Sequence, residues 1–224
     1  LALAGPAIVR RDTLSYRKLD GVLFVVDTSS GMTDGPNWPE MLTMGRFGIA
    51  ALGTRPGGLI VYAGDAYVAT DMTADHLQLG QTFSLLSADT VPDKGVRPER
   101  ALAEAARLLE EAEVIAGDVI LFSDGMGLGP EALTQTAALA SLGARVSVVS
   151  PSGSTPSSEA LASLGGGRVF TLQDTTALND WLQEDARTRL EKQDVPLLFW
   201  RDLGRYGLVL ALLPLLMMFR REAA

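Results

Sequence analysis

The run Val-Leu-Phe-Val-Val at residues 22–26, apolar without a break and closed by Asp27, constrains this chain more than any other feature. A strand with no polar alternation belongs in the middle of a sheet covered on both faces, which is the situation of parallel strands. Shorter unbroken runs recur at 59–62 and 119–122, and 145–149 and 169–172 read as further strands. Between them lie segments with helical spacing: 41–52, stopped by Arg55-Pro-Gly-Gly58; 75–86, with Asp75 placed as its N-cap; 98–112; 130–142, opened by Pro130 and ended at Gly143; 157–164, stopped by Gly165-Gly-Gly167; and 176–191. The clearest helix, 98–112, gathers Ala101, Leu102, Ala105, Leu108 and Leu109 on one face and turns Glu104, Arg107, Glu110 and Glu111 to water. Residues 66–69 follow 59–62 after a gap short enough for a hairpin, so they are expected to run antiparallel at an edge. Strand and helix in alternation predict an α/β fold, a doubly wound, mostly parallel six-stranded sheet flanked by helices.

In such sheets ligands gather beyond the carboxyl ends of the strands, and Asp27 and Asp124 are both expected there. The loop Asp27-Thr-Ser-Ser-Gly-Met32 adds the hydroxyls of Thr28, Ser29 and Ser30, and Phe122-Ser-Asp-Gly125 supplies the second carboxylate. Hard oxygen donors of this kind suit Mg²⁺ or Ca²⁺. With no cysteine and a single histidine, His76, the chain has no disulfide, thiolate or His-rich metal site. His76 itself is expected to be a solvated side chain in the first turn of a helix, and Asp65 and Asp75 to shape turns. Gly165–Gly167 follows a helix and precedes a strand, the reverse of the order that a phosphate-binding loop requires. A net charge of −8 and the lack of a basic run argue against a nucleic-acid surface.

From these two motifs and their spacing, residues 17–190 resemble the von Willebrand factor A (vWA) family. Its metal-ion-dependent adhesion site opens with Asp-x-Ser-x-Ser after the first strand and takes a further Asp from a Thr-Asp-Gly-like turn. The resemblance implies a vWA, Rossmann-like fold. Further wording, Leu59-Ile-Val-Tyr-Ala-Gly-Asp-Ala-Tyr-Val68, Met72-Thr-Ala-Asp75, Arg97-Pro-Glu-Arg-Ala-Leu102 and Trp200-Arg-Asp, is similar to the BatA/BatB-type membrane-anchored vWA proteins of bacteria. That likeness implies protein partners, among them other Bat-type vWA proteins and a MoxR-type ATPase system, at the bacterial inner membrane with the domain on the periplasmic side.

Two departures bear on the metal. Gly31 stands where the family motif has its second serine, and Val96, after Gly95, stands where it has a threonine. Asp27, Ser29 and Asp124 survive as ligands, with Ser30 an alternative hydroxyl, so the site is expected to be degenerate and to hold Mg²⁺ or another divalent cation weakly, with water completing the shell. The face formed by Asp27, Thr28, Ser29, Ser30 and Asp124 is expected to meet the partner. No catalytic residue is assigned, and no enzyme is expected. The competing readings are a purely structural subunit of a membrane complex and a haloacid-dehalogenase-type Mg-dependent hydrolase. The hydrolase needs a second Asp two residues after the first as acid/base, where this chain has Ser29.

Residues 206–219 run without a charge between Arg205 and Arg220-Arg221, with Trp200 and Tyr206 as interface aromatics, and are expected to form a C-terminal transmembrane helix. Fourteen residues at 1.5 Å rise give ~21 Å against a hydrocarbon core of ~30 Å, so the flanking arginines are expected to snorkel. The expected organisation is therefore 1–16, the end of a possible earlier membrane segment with its linker; 17–192, the vWA domain; 193–205, a linker; 206–219, the membrane helix; and 220–224, a short tail.

Overall fold

The computed structural model describes residues 20–183 except residue 115, all within one contact unit, Tyr16–Arg189. Six strands are described: β1 (Asp20–Asp27), β2 (Gly57–Tyr62), β3 (Ala66–Thr73), β4 (Ala116–Phe122), β5 (Arg145–Ser150) and β6 (Gly166–Thr171). They form one sheet in the order β3-β2-β1-β4-β5-β6, with every pairing parallel except β2 with β3. The doubly wound parallel sheet and its antiparallel edge strand agree with the sequence.

The period of two along each strand sorts side chains into two cores. Val22, Phe24, Val26, Ile120 and Phe122 face α2 (Trp38–Ala50), α3 (His76–Ser84) and a closing helical stretch at 175–183. Leu23, Val25, Ile60, Val119 and Leu121 face α4 (Pro98–Glu111), α5 (Pro130–Ser141) and α6 (Pro156–Leu164). Burial on both faces is why 22–26 shows no alternation in sequence. In the first core Phe24, Phe83 and Phe122 meet edge-on or tilted, with ring centroids 5.7 to 6.3 Å apart.

Three local expectations change. The segment after Asp27 is not all loop: α1 (Ser30–Thr33) is a single helical turn with Ser29 as its N-cap. Of the three glycines read as a helix stop, only Gly165 caps α6, while Gly166 and Gly167 open β6. A Cβ on Gly167 would lie 2.1 Å from the Val146 carbonyl oxygen, so the close approach of β6 to β5 requires glycine there. His76 is half-buried rather than solvated, its Nε2 bonded to the Arg55 carbonyl at 2.8 Å.

The end of the sheet opposite Asp27 is closed by charge. Arg55, 6% exposed, reaches Asp20 and Asp118 at 2.5 Å each and donates to the Leu182 carbonyl at 3.0 Å. Arg145 also pairs with Asp118, and Arg145 and Arg168 both lie over the Trp181 ring, at 4.4 and 4.6 Å from its centroid. The two aspartates hold the Arg55 pKa above its ordinary value against the opposing effect of burial. Among the described residues no helix is long and apolar enough to cross a membrane. The expected segments 1–16, 193–205, 206–219 and 220–224, and the later part of the helix expected at 176–191, lie outside the described residues.

Candidate functional site

Strand order reverses between β1 and β4, because the chain builds outward from β1 to β3 on one side and from β4 to β6 on the other. Such a reversal opens a crevice at the carboxyl ends of the two strands. Asp27 ends β1, and Asp124 follows β4 by two residues, so the topology brings together the two carboxylates that sequence had placed at separate strand ends. Each folds its own loop in the same way. Asp27 Oδ1 accepts from the Ser29 N–H at 2.8 Å and Asp124 Oδ1 from the Met126 N–H at 2.8 Å, the i to i+2 bond that tightens a turn after an aspartate.

Exposure separates the five residues of the expected face. Asp27 and Thr28 are fully buried and Ser29 is 8% exposed, whereas Ser30 is exposed and Asp124 half-buried. The Thr28 hydroxyl donates to the Tyr62 carbonyl at 3.1 Å and is thus committed to the sheet. The outer surface here consists of Ser30, Gly31, Asp124 and Met126, the last 59% exposed. Val96 is half-buried against the core under α4. Its carbonyl oxygen and Pro98 would lie within 2.9 Å of a Cβ on Gly127, whose φ is +74°, so the loop after β4 packs tightly on the start of α4.

Tyr62 was not singled out in the sequence. It pairs in register with Asp27 on the same face of the sheet and is fully buried. Pairings one step earlier, Val26 with Phe122 and Phe122 with Val149, carry that row on to Ser123 and Ser150, both buried. Three oxygens in this row, Asp27 Oδ2, Tyr62 OH and Ser150 Oγ, have no well-formed hydrogen bond among the described residues. Burial pushes the Asp27 pKa up to about 6; the Ser29 hydroxyl and N–H pull it down, and the negative charge of Asp124 raises it further. Burial, with the Asp27 charge next, raises the Tyr62 pKa well above its ordinary value.

These features test whether the residues fit a cation. A buried carboxylate oxygen without a donor is costly, and a second carboxylate nearby adds repulsion; a divalent ion relieves both. Asp27, Asp124 and the Ser29 hydroxyl form a hard-oxygen set, and Mg²⁺ tolerates few protein ligands because it keeps several waters. Among the described residues no three acidic or histidine side chains come together, so such an ion would rely on two carboxylates. The residues fit a weakly held divalent cation.

Beside the strand ends lies a notch of about 150 Å³, lined by Met32, Pro36, Trp38, Met41, Pro151 and Asp124 with small or neutral polar neighbours. Asn37 donates to the Pro151 carbonyl at 3.2 Å and joins its two walls.

No family model and no curated protein matches the chain in sequence. Solved structures do match in fold. BatB from Bacteroides thetaiotaomicron superimposes with a TM-score of 0.67 at 18% identity, over 75% of this chain and 99% of that one. An aerotolerance-related membrane protein from Bacteroides fragilis gives 0.63 at 17%, over 76% and 99%. Proximal thread matrix protein 1 from the mussel byssus, solved with a zinc-occupied MIDAS motif, gives 0.60 at 16%, over 75% of this chain and 45% of that protein. This chain carries a von Willebrand factor A fold and resembles BatB.

Proposed function

We propose that the chain is a membrane-anchored, non-enzymatic interaction domain whose strand-end face docks a protein partner, with a degenerate metal site beneath that face. The observation that carries this reading is the meeting of Asp27 and Asp124 at the reversal of strand order, with one Asp27 oxygen buried and without a hydrogen-bond partner among the described residues. Asp27, Ser29 and Asp124 would hold the ion. A bound divalent ion would supply positive charge that an acidic group on the partner can meet. Ser29, whose N–H is bonded to Asp27, stands where a hydrolase of this architecture needs a second acid, which favours binding over catalysis.

The anchor is the apolar segment 206–219, the domain faces the periplasm, and the partners are other Bat-type vWA proteins working with a MoxR-type ATPase system in the bacterial envelope. The likeness to BatB and to a membrane protein of the same fold supports this assignment. The test is purification of the tagged full chain from membranes in mild detergent, with Mg²⁺ or with chelator, and identification of what accompanies it. A Bat-type vWA protein recovered with the wild type and lost with Asp27→Ala/Asp124→Ala supports docking at this face. Equal recovery by both overturns it. Protease added to intact spheroplasts should remove the domain, and protection would place it on the cytoplasmic side.

A further inference from the structure

We propose that the notch bounded by α1, the start of α2 and the loops after β4 and β5 is a socket for an arginine side chain of the docked protein, its guanidinium on Asp124 and its stem along Trp38. The inference rests on the reading of this face as a docking surface and names the chemistry it recognises. Among the described residues, Asp124 is the only charged one lining the notch. The remaining surface is apolar or neutral, with the half-buried Trp38 ring, Met32 and Met41 as its large side chains. An acidic side chain would meet a carboxylate and no positive group there, and a purely apolar one would leave Asp124 desolvated without a counter-charge.

Size and rigidity point the same way. A space of about 150 Å³ is well below the ~300–1,000 Å³ of small-molecule pockets and suits one side chain. The walls are joined by the Asn37 to Pro151 bond, so the socket is formed before the partner arrives. Asp124 Oδ1 accepts from Met126, yet each carboxylate oxygen has two lone pairs, so the pair of oxygens remains able to receive the two parallel N–H donors of an arginine. Arginine also stacks on an aromatic face, which lysine does less well. Met126, exposed two residues beyond Asp124, offers apolar surface to the residues flanking the arginine. Chain charge agrees: a net −8 favours approach of a basic segment.

The same carboxylate serves the metal reading, so arginine and a divalent cation compete for Asp124. The cysteine-free chain allows a direct test, because Ser152→Cys at the exposed rim gives a single thiol for an environment-sensitive fluorophore. The labelled full chain in non-ionic detergent is titrated with acetyl-Gly-Gly-Arg-Gly-Gly-amide and with its Glu counterpart, in chelator and in Mg²⁺. A saturable response to the Arg peptide in chelator, weakened at least tenfold by Asp124→Asn, weakened by Trp38→Leu and reduced by Mg²⁺, is expected. Asp124→Asn preserves shape, and a thermal melt identifies a variant that has lost its fold. A response to the Glu peptide in Mg²⁺ with none to the Arg peptide overturns the socket while leaving docking at this face intact. An Arg response unchanged in Asp124→Asn overturns the socket as well. If neither peptide responds while the Bat-type complex still forms through Asp27 and Asp124, the socket alone fails.

Discussion

Asp27 and Tyr62 stand side by side in the register of β1 and β2, on one face of the sheet, and each buries an oxygen without a well-formed hydrogen bond among the described residues. An unsatisfied buried hydroxyl costs about 1–3 kcal/mol, and removing it while keeping the ring avoids a cavity. Tyr62→Phe is therefore expected to stabilise the domain by about 1 kcal/mol in urea unfolding. A loss of stability would show that the phenol is held by a partner such as the neighbouring Ser123.

Titration of Asp27 gives stability an unusual slope with pH. Its native pKa of about 6 lies above the ordinary 3.8, so between these values the folded state binds more protons than the unfolded state. The protonated carboxyl is favourable at and below pH 4, and that advantage is lost as pH rises through 6, a two-unit shift being worth roughly 3 kcal/mol. In chelator, Asp27→Asn should match the wild type near pH 4 and exceed it in stability at pH 7. Parallel pH profiles for the two proteins would contradict this.

Metal binding should leave only a small trace. At a millimolar Kd, a few millimolar Mg²⁺ adds about 1 kcal/mol to stability. Differential scanning fluorimetry should accordingly show a slight rise in Tm with Mg²⁺ or Mn²⁺. Gly31→Ser with Val96→Thr should enlarge the rise, since nothing lies within 4 Å of a Cβ at Gly31, and Asp27→Ala in that background should abolish it. A large rise in the unmodified chain would mean that Ser30 or Tyr62 already completes the shell.

The opposite end of the sheet should be sensitive to loss of charge. Asp118 is 1% exposed and pairs with both Arg55 and Arg145. Asp118→Ala removes the buried carboxylate that Arg55 and the half-buried Arg145 share and is expected to cost about 3 kcal/mol, read as a fall in the urea midpoint at constant slope. A change below 1 kcal/mol would show that water reaches the network.

Space is equally tight under α2. A Cβ on Gly45 would lie 2.1 Å from the Phe83 ring, which is itself wedged against Phe24 and Phe122. Gly45→Ala should destabilise by about 1–3 kcal/mol despite the better helix propensity of alanine, because the ring has nowhere to move. Stabilisation would mean that the aromatic cluster repacks freely.

Local pattern alone determined much of this protein. Unbroken apolar runs such as 22–26 mark strands buried on both faces, Pro130 and Gly143 bracket a helix, and Asp75 sits where its side chain can accept from the Gln78 N–H, all interactions between residues close in the chain. Asp27 and Asp124 were legible for the same reason, each closing a strand within a recognisable turn. What only the tertiary structure decided are the relations across strands and between loops. Placing Tyr62 beside Asp27 depends on the register of two strands 30 residues apart in sequence, and the union of Arg55 with Asp20, Asp118 and Arg145 needs three strand starts aligned at one end. The notch beside Trp38 exists because the loops after β4 and β5 converge on α1 and α2, and Thr28 is withdrawn from the surface because its hydroxyl bonds β2. Sequence periodicity states which side a residue faces; burial and partner follow from what the fold brings to that side.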